Sequence, residues 1–185
     1  MKPQFSARIA CLCAALLLLA ASCGMKPDAI PEGAGVGRLI TTEYPCEIVL
    51  TPHVEGTASS DGITCVDARD GLDGYITLYK DCYDFENTSV TTCFYDVASP
   101  YDEAFFEENV LLIIPIRAAS PAVRYVCEGI GRAGEGFDIR IGYTSPSPAV
   151  EQETDWHLLI EVPKNSACVE DPSLLNLRFV EKRNY

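Results

Sequence analysis

The chain is poor in the residues from which most reaction centres are built. It has two histidines, one tryptophan and no cysteine pair at the Cys-x-x-Cys spacing of a structural zinc or redox site. Bases are scarce, 14 Lys and Arg against 27 Asp and Glu. A chain of that sign lacks the basic surface that nucleic acid or an anionic lipid layer requires, so nucleic acid is not an expected partner. No block of five or more acids occurs, and the acids read as a solvated surface rather than a binding patch. No apolar run reaches the roughly 20 residues that cross a bilayer as a helix. The nearest approach, Ile9 to Ala20, falls short.

That short run has a different use. It follows a basic, acid-free start containing Lys2 and Arg8 and ends in small residues, the layout of a secretory signal peptide. The ending Leu19-Ala20-Ala21-Ser22-Cys23-Gly24 resembles the lipobox of bacterial lipoproteins, with Ala20 where that family usually has Leu. The resemblance implies that residues 1–22 are a signal, that Cys23 receives a diacylglycerol thioether, and that the rest works at the extracytoplasmic face of the cell membrane. Each buried methylene contributes about 0.8 kcal/mol, so two or more acyl chains hold a protein at a membrane stably. An ordinary signal cut near the same place is the alternative. Loss of the signal leaves 12 of the 14 bases against all 27 acids. Residues 23–36, with Pro27, Pro31 and several glycines, lack apolar periodicity and read as a flexible tether. Residues 37–185 have the length of one domain with its own core.

Cysteines outnumber what such a domain needs. Cys11 and Cys13 leave with the signal and Cys23 takes the lipid, which leaves Cys46, Cys65, Cys82, Cys93, Cys127 and Cys168. Six cysteines in an exported chain allow up to three disulfides. Sequence proximity favours Cys46 with Cys65 and Cys82 with Cys93, leaving Cys127 and Cys168. In a host without a thiol-oxidising pathway the same residues would serve as small buried apolar groups.

Periodicity gives an α+β fold, mainly antiparallel sheet with one or two short helices. Residues 38–42, 46–51 and 75–79 read as strands and 53–74 as loop. Ser99 and Pro100 read as the start of a short helix running to Glu108. The apolar run from Val110 to Ile116 suits a strand buried on both faces. Three strands with one polar face follow, around Tyr125, around Ile139 and from Trp156 to Val162, the last with His157 and Glu161 turned outward. The Gly-rich link 129–136 joins the first two as a hairpin, and Leu175, Leu177 and Phe179 offer a closing strand.

Candidate chemistry is sparse. Asp67-Ala-Arg-Asp-Gly-Leu-Asp-Gly74 fails as a calcium loop, because Arg69, Gly71 and Lys80 would fall where ligands belong, and reads as an acidic turn. His53, in a loop, and His157, on a strand, are the two bases a thiol enzyme could use, but no nucleophile motif accompanies them. Glu107 with Glu108 and Glu151 with Glu153 could serve a glycosidase only across a cleft, and otherwise are solvated acids. No metal or cofactor site is expected.

The stretch from Tyr101-Asp-Glu-Ala-Phe-Phe-Glu-Glu-Asn-Val-Leu-Leu-Ile-Ile114 to Trp156-His-Leu-Leu-Ile-Glu-Val-Pro-Lys164 resembles the C-terminal domain of PrcB-type protease-complex subunits, over residues 100–185. A Gly-Gly-Tyr turn common in that family is here 118–125, which keeps Tyr125 and loses the glycines. The resemblance implies a non-enzymatic, protein-binding accessory module that supports a surface protease. The alternative is a surface module for a solute or carbohydrate, marked by an aromatic pocket using Tyr75, Tyr79, Tyr83 or Trp156. A hydrolase is the third reading, and it would need a histidine meeting a cysteine, serine or carboxylate in a deep pocket.

Overall fold

A strand that is apolar at successive positions cannot lie on a sheet with one wet face, because alternate side chains point to opposite sides. Strand β4 (Asn109–Ala118) meets this demand by sitting between two covering layers. In the computed structural model, which describes residues 41–57, 62–145 and 152–182, Leu111 and Ile113 pack on one side of β4 against helices. Val110, Leu112, Ile114 and Ile116 pack on the other side against a second sheet. Leu111, Leu112, Ile113 and Ile114 are each 0 % exposed, and full burial of such a side chain contributes about 1.5–3 kcal/mol. The signal segment, Cys23, the tether and residues 37–40 lie outside the described residues.

The described residues belong to one unit, Val36–Tyr185, of mainly antiparallel α+β architecture. Its strands are β1 (Thr41–Thr42), β2 (Cys46–Leu50), β3 (Thr64–Val66), β4, β5 (Arg124–Ala133), β6 (Gly136–Thr144), β7 (Thr154–Pro163) and β8 (Leu175–Glu181). Its helices are α1 (Arg69–Tyr79), α2 (Phe94–Ala98) and α3 (Glu103–Glu108). The inner sheet has the order β2-β7-β4-β3 and the outer sheet β1-β5-β6-β8. From the helices inward the layers are helix, inner sheet, outer sheet. The pair β6 and β8 is parallel, which a chain achieves only by a crossover. Here β7, in the other sheet, together with two 3-10 turns (Ala167–Val169 and Pro172–Leu174), makes that crossover.

Several expectations hold and others are corrected. The hairpin β5–β6 forms, although its strands run through most of the Gly-rich link and leave a turn at Gly134 and Glu135. The outer face of this pair is polar as expected, with Glu128 bridged by Arg140 and Lys182, and Asp138 by Arg178. The register of β5 shifts between Cys127 and Gly129. This β-bulge lets both Cys127 and Ile130 pack towards the core despite their odd spacing.

Residues 75–79, expected as a strand, form the end of α1. The β-branched and aromatic content that suggested a strand serves instead to bury Leu72 and Tyr75 on one helical face. The expected loop 53–74 accordingly contains β3 and the first turns of α1, and the acidic turn at Asp67–Gly74 is largely helix. Ser99 does not cap the following helix. Asp102 does, its carboxylate accepting from the Phe105 N–H at 2.9 Å, so α3 starts later than the Ser-Pro pair suggested. Pro115 does not end β4, which continues to Ala118.

Candidate functional site

The most developed polar constellation is centred on His157, the residue expected to face water. It is 0 % exposed. Residues 155, 157, 159 and 161 share one face of β7, and the helical layer covers that face. Leu159, 0 % exposed beside His157, belongs to the helix-side core. The rings of Tyr75, Tyr83, Phe85 and Phe94 stand edge-on to the imidazole, with centroids 5.9, 4.7, 5.5 and 5.4 Å away.

Inside this aromatic nest His157 Nδ1 lies 2.5 Å from Thr51 Oγ1 and Nε2 lies 2.8 Å from the Tyr75 hydroxyl. Burial lowers its pKa to about 3, because a charged ring surrounded by apolar side chains would lose its hydration. A neutral imidazole carries one N–H, so one nitrogen donates to one hydroxyl and the other accepts from the second. The arrangement joins the end of β2, helix α1 and strand β7. Its chemistry is that of a structural pin, since a general base needs a pKa near the working pH and reach to a substrate proton.

His53 is placed differently. It bridges to Tyr83 as an isolated β-pair and its Nε2 lies 3.3 Å from Thr57 Oγ1. It borders a cleft of about 440 Å³ whose lining includes Glu55, Thr57, Arg117, Glu153 and Asp155. Asp155 is 3 % exposed. Its Oδ1 receives the Arg117 Nε at 3.3 Å, while Oδ2 has no partner among the described residues. The hydrogen bond and charge of Asp155 push the Arg117 pKa up. Among the described residues neither histidine is hydrogen-bonded to a cysteine.

The aromatic residues expected to line a solute pocket are core residues instead. Tyr75, Tyr83 and Trp156 are at most 4 % exposed, and Tyr79 packs partly buried against the same helix-side cluster. Glu107, Glu108 and Glu153 are exposed, and Glu151 lies outside the described residues. No group of three or more metal-ligating side chains occurs among the described residues.

The six cysteines are free thiols, and the strand order separates Cys46 from Cys65, one of the pairs favoured by sequence proximity. Cys46 is in register with Ile160, Ile160 with Leu112, and Leu112 with Cys65. Three strand spacings therefore separate Cys46 from Cys65, on the order of 14 Å, twice what a disulfide spans. The neighbour of Cys46 is Cys127, since β2 and β5 are in contact and the two thiols shift each other's pKa. Burial, and after it the Asp67 carboxylate, raise the Cys65 pKa, and Cys168 is close enough to add to the effect. Cys82 and Cys93 are half-buried. Strand numbering alone could not have revealed the Cys46 contact, because it depends on which sheet each strand joins. No protein-family model, curated protein or solved structure matches the chain.

Proposed function

We propose that the protein is a lipid-anchored accessory module that binds another protein at the extracytoplasmic face of the cell membrane. The observation that carries this reading is the sequence Leu19-Ala20-Ala21-Ser22-Cys23-Gly24, placed after a basic start and an apolar run and ahead of the domain. The 17 residues between Cys23 and Thr41 reach at most about 60 Å when fully extended, enough to lift the domain clear of the lipid headgroups. The excess of acids opposes adsorption on anionic lipid, so attachment falls to the anchor and recognition to the domain.

A surface protease is the partner class implied by the resemblance of residues 100–185 to the PrcB C-terminal domain. The order of elements in this half supports it, since the short acidic helix α3 leads directly into the aliphatic strand β4 and β7 ends in Val162 and Pro163. The test is affinity purification of the tagged chain from its own membranes after mild crosslinking, beside Cys23→Ala. Enrichment of a protease with the anchored form alone is the expected result. Identical recovery with both forms, or none above background, contradicts the reading. The second outcome would favour binding of a small solute, for which the cleft beside Asp155, with Glu55 and Glu153 at its rim, is the suitable place.

A further inference from the structure

Two thiols that lie far apart in the sequence are brought together where the chain passes from one sheet to the other. Thr42, in β1 of the outer sheet, pairs with Ile130 of β5. Only Glu43, Tyr44 and Pro45 separate it from Cys46, which begins β2 in the inner sheet. So short a link holds the start of β2 beside β5, and the two strands are in contact. Cys127 lies on β5 just before the bulge, and both cysteines pack half-buried against the core between the sheets.

We propose that Cys46 and Cys127 form a disulfide that fastens the inner sheet to the outer one. The inference goes beyond the anchored-module reading and does not depend on it. The two thiols shift each other's titration and stand where β2 and β5 touch, so they are neighbours in the dithiol state. The roles of the two thiols differ. The interaction with Cys46 pulls the Cys127 pKa down, whereas the interaction with Cys127 and burial push Cys46 up. The thiolate is the nucleophile in exchange, so Cys127 reacts first.

The oxidant is an external disulfide, either oxidised glutathione or the active-site disulfide of an oxidoreductase. The Cys127 thiolate attacks one of its sulfurs, forming a mixed disulfide and releasing one thiolate, which takes up a proton. Cys46 then loses its proton and attacks the Cys127 sulfur, expelling the second thiol. One disulfide forms in the protein, and the external disulfide is reduced to two thiols.

The experiment uses the purified, reduced full chain incubated with oxidised glutathione, then blocked with N-ethylmaleimide. Digestion without reductant, by trypsin and a glutamate-specific protease, separates Cys46 from Cys65, because Glu47 and Glu55 lie between them. The expected product is residues 44–47 joined to residues 125–128. In Cys46→Ser the mixed disulfide has no resolving thiol, so Cys127 is expected to retain one glutathione. Cys46 joined to any other cysteine would overturn the proposal. So would maleimide on both Cys46 and Cys127 after oxidation, or an unmodified Cys127 in the serine variant.

Discussion

His157→Ala is expected to lower the stability of the domain by about 3–5 kcal/mol, the range for deleting a fully buried large side chain together with its buried hydrogen bonds. The substitution leaves a void among four aromatic rings and removes one hydrogen-bond partner each from the buried Thr51 and Tyr75 hydroxyls. Urea unfolding at pH 7 measures it. A loss below about 1 kcal/mol would mean that the nest closes over the gap.

The same residue gives the domain a defined sensitivity to acid. In the folded chain burial holds the His157 pKa down at about 3, against about 6.5 in an unfolded chain. Between these values the unfolded state binds the additional proton, so the stability from the neutral ring is present above about pH 6.5 and is lost as pH falls towards 3. The slope is about 1.4 kcal/mol per pH unit, or about 2 kcal/mol between pH 6.5 and 5. His157→Gln, which keeps an amide to hydrogen-bond the hydroxyls but cannot titrate, is expected to flatten the curve by that amount. Parallel curves for the two proteins would mean that His157 takes up its proton as readily in the folded chain as in the unfolded one.

Gly129→Ala is the second large effect, at about 2–4 kcal/mol. Gly129 has φ +112°, a region L side chains avoid, and an added Cβ would lie 2.3 Å from the Thr42 carbonyl oxygen. Backbone is what obstructs it, so the cost cannot be relieved by a rotamer change. The pairing of β1 with β5 must open, and the link that holds Cys46 against Cys127 opens with it. Thermal unfolding, with amide exchange read at Thr42 and Ile130, reports both consequences. Gly134→Ala is the control. Its φ is +61° and open space surrounds it, so only the backbone preference of about 1–2 kcal/mol is lost. Equal effects at the two glycines would contradict the bulge as the point of strain.

How far the sequence reveals this molecule depends on the range of the interaction concerned. The double-sided burial of β4 is legible because every inward position in Val110–Ile114 is aliphatic, and the β5–β6 hairpin is legible because alternation and turn residues are local. The α1 helix was hidden by composition, since Tyr75, Ile76, Thr77 and Tyr79 favour strands while the helical spacing of Leu72, Tyr75 and Tyr79 is the signal that decides. The burial of His157 is hidden for a related reason. A polar residue between Trp156 and Leu158 looks like alternation, but Leu159, on the same face as His157, is the residue that betrays a covering layer. The Cys46 and Cys127 contact had no local signal, because it follows from β1 and β2 joining different sheets.

The proposed lipid anchor at Cys23 is tested most directly by the mass of the mature N-terminal peptide. Protein isolated from its own membranes and digested with protease should yield a first peptide that begins at Cys23 and carries a diacylglycerol thioether. That mass should be absent from Cys23→Ala. An unmodified Cys23, or a mature chain that starts elsewhere, would contradict the account.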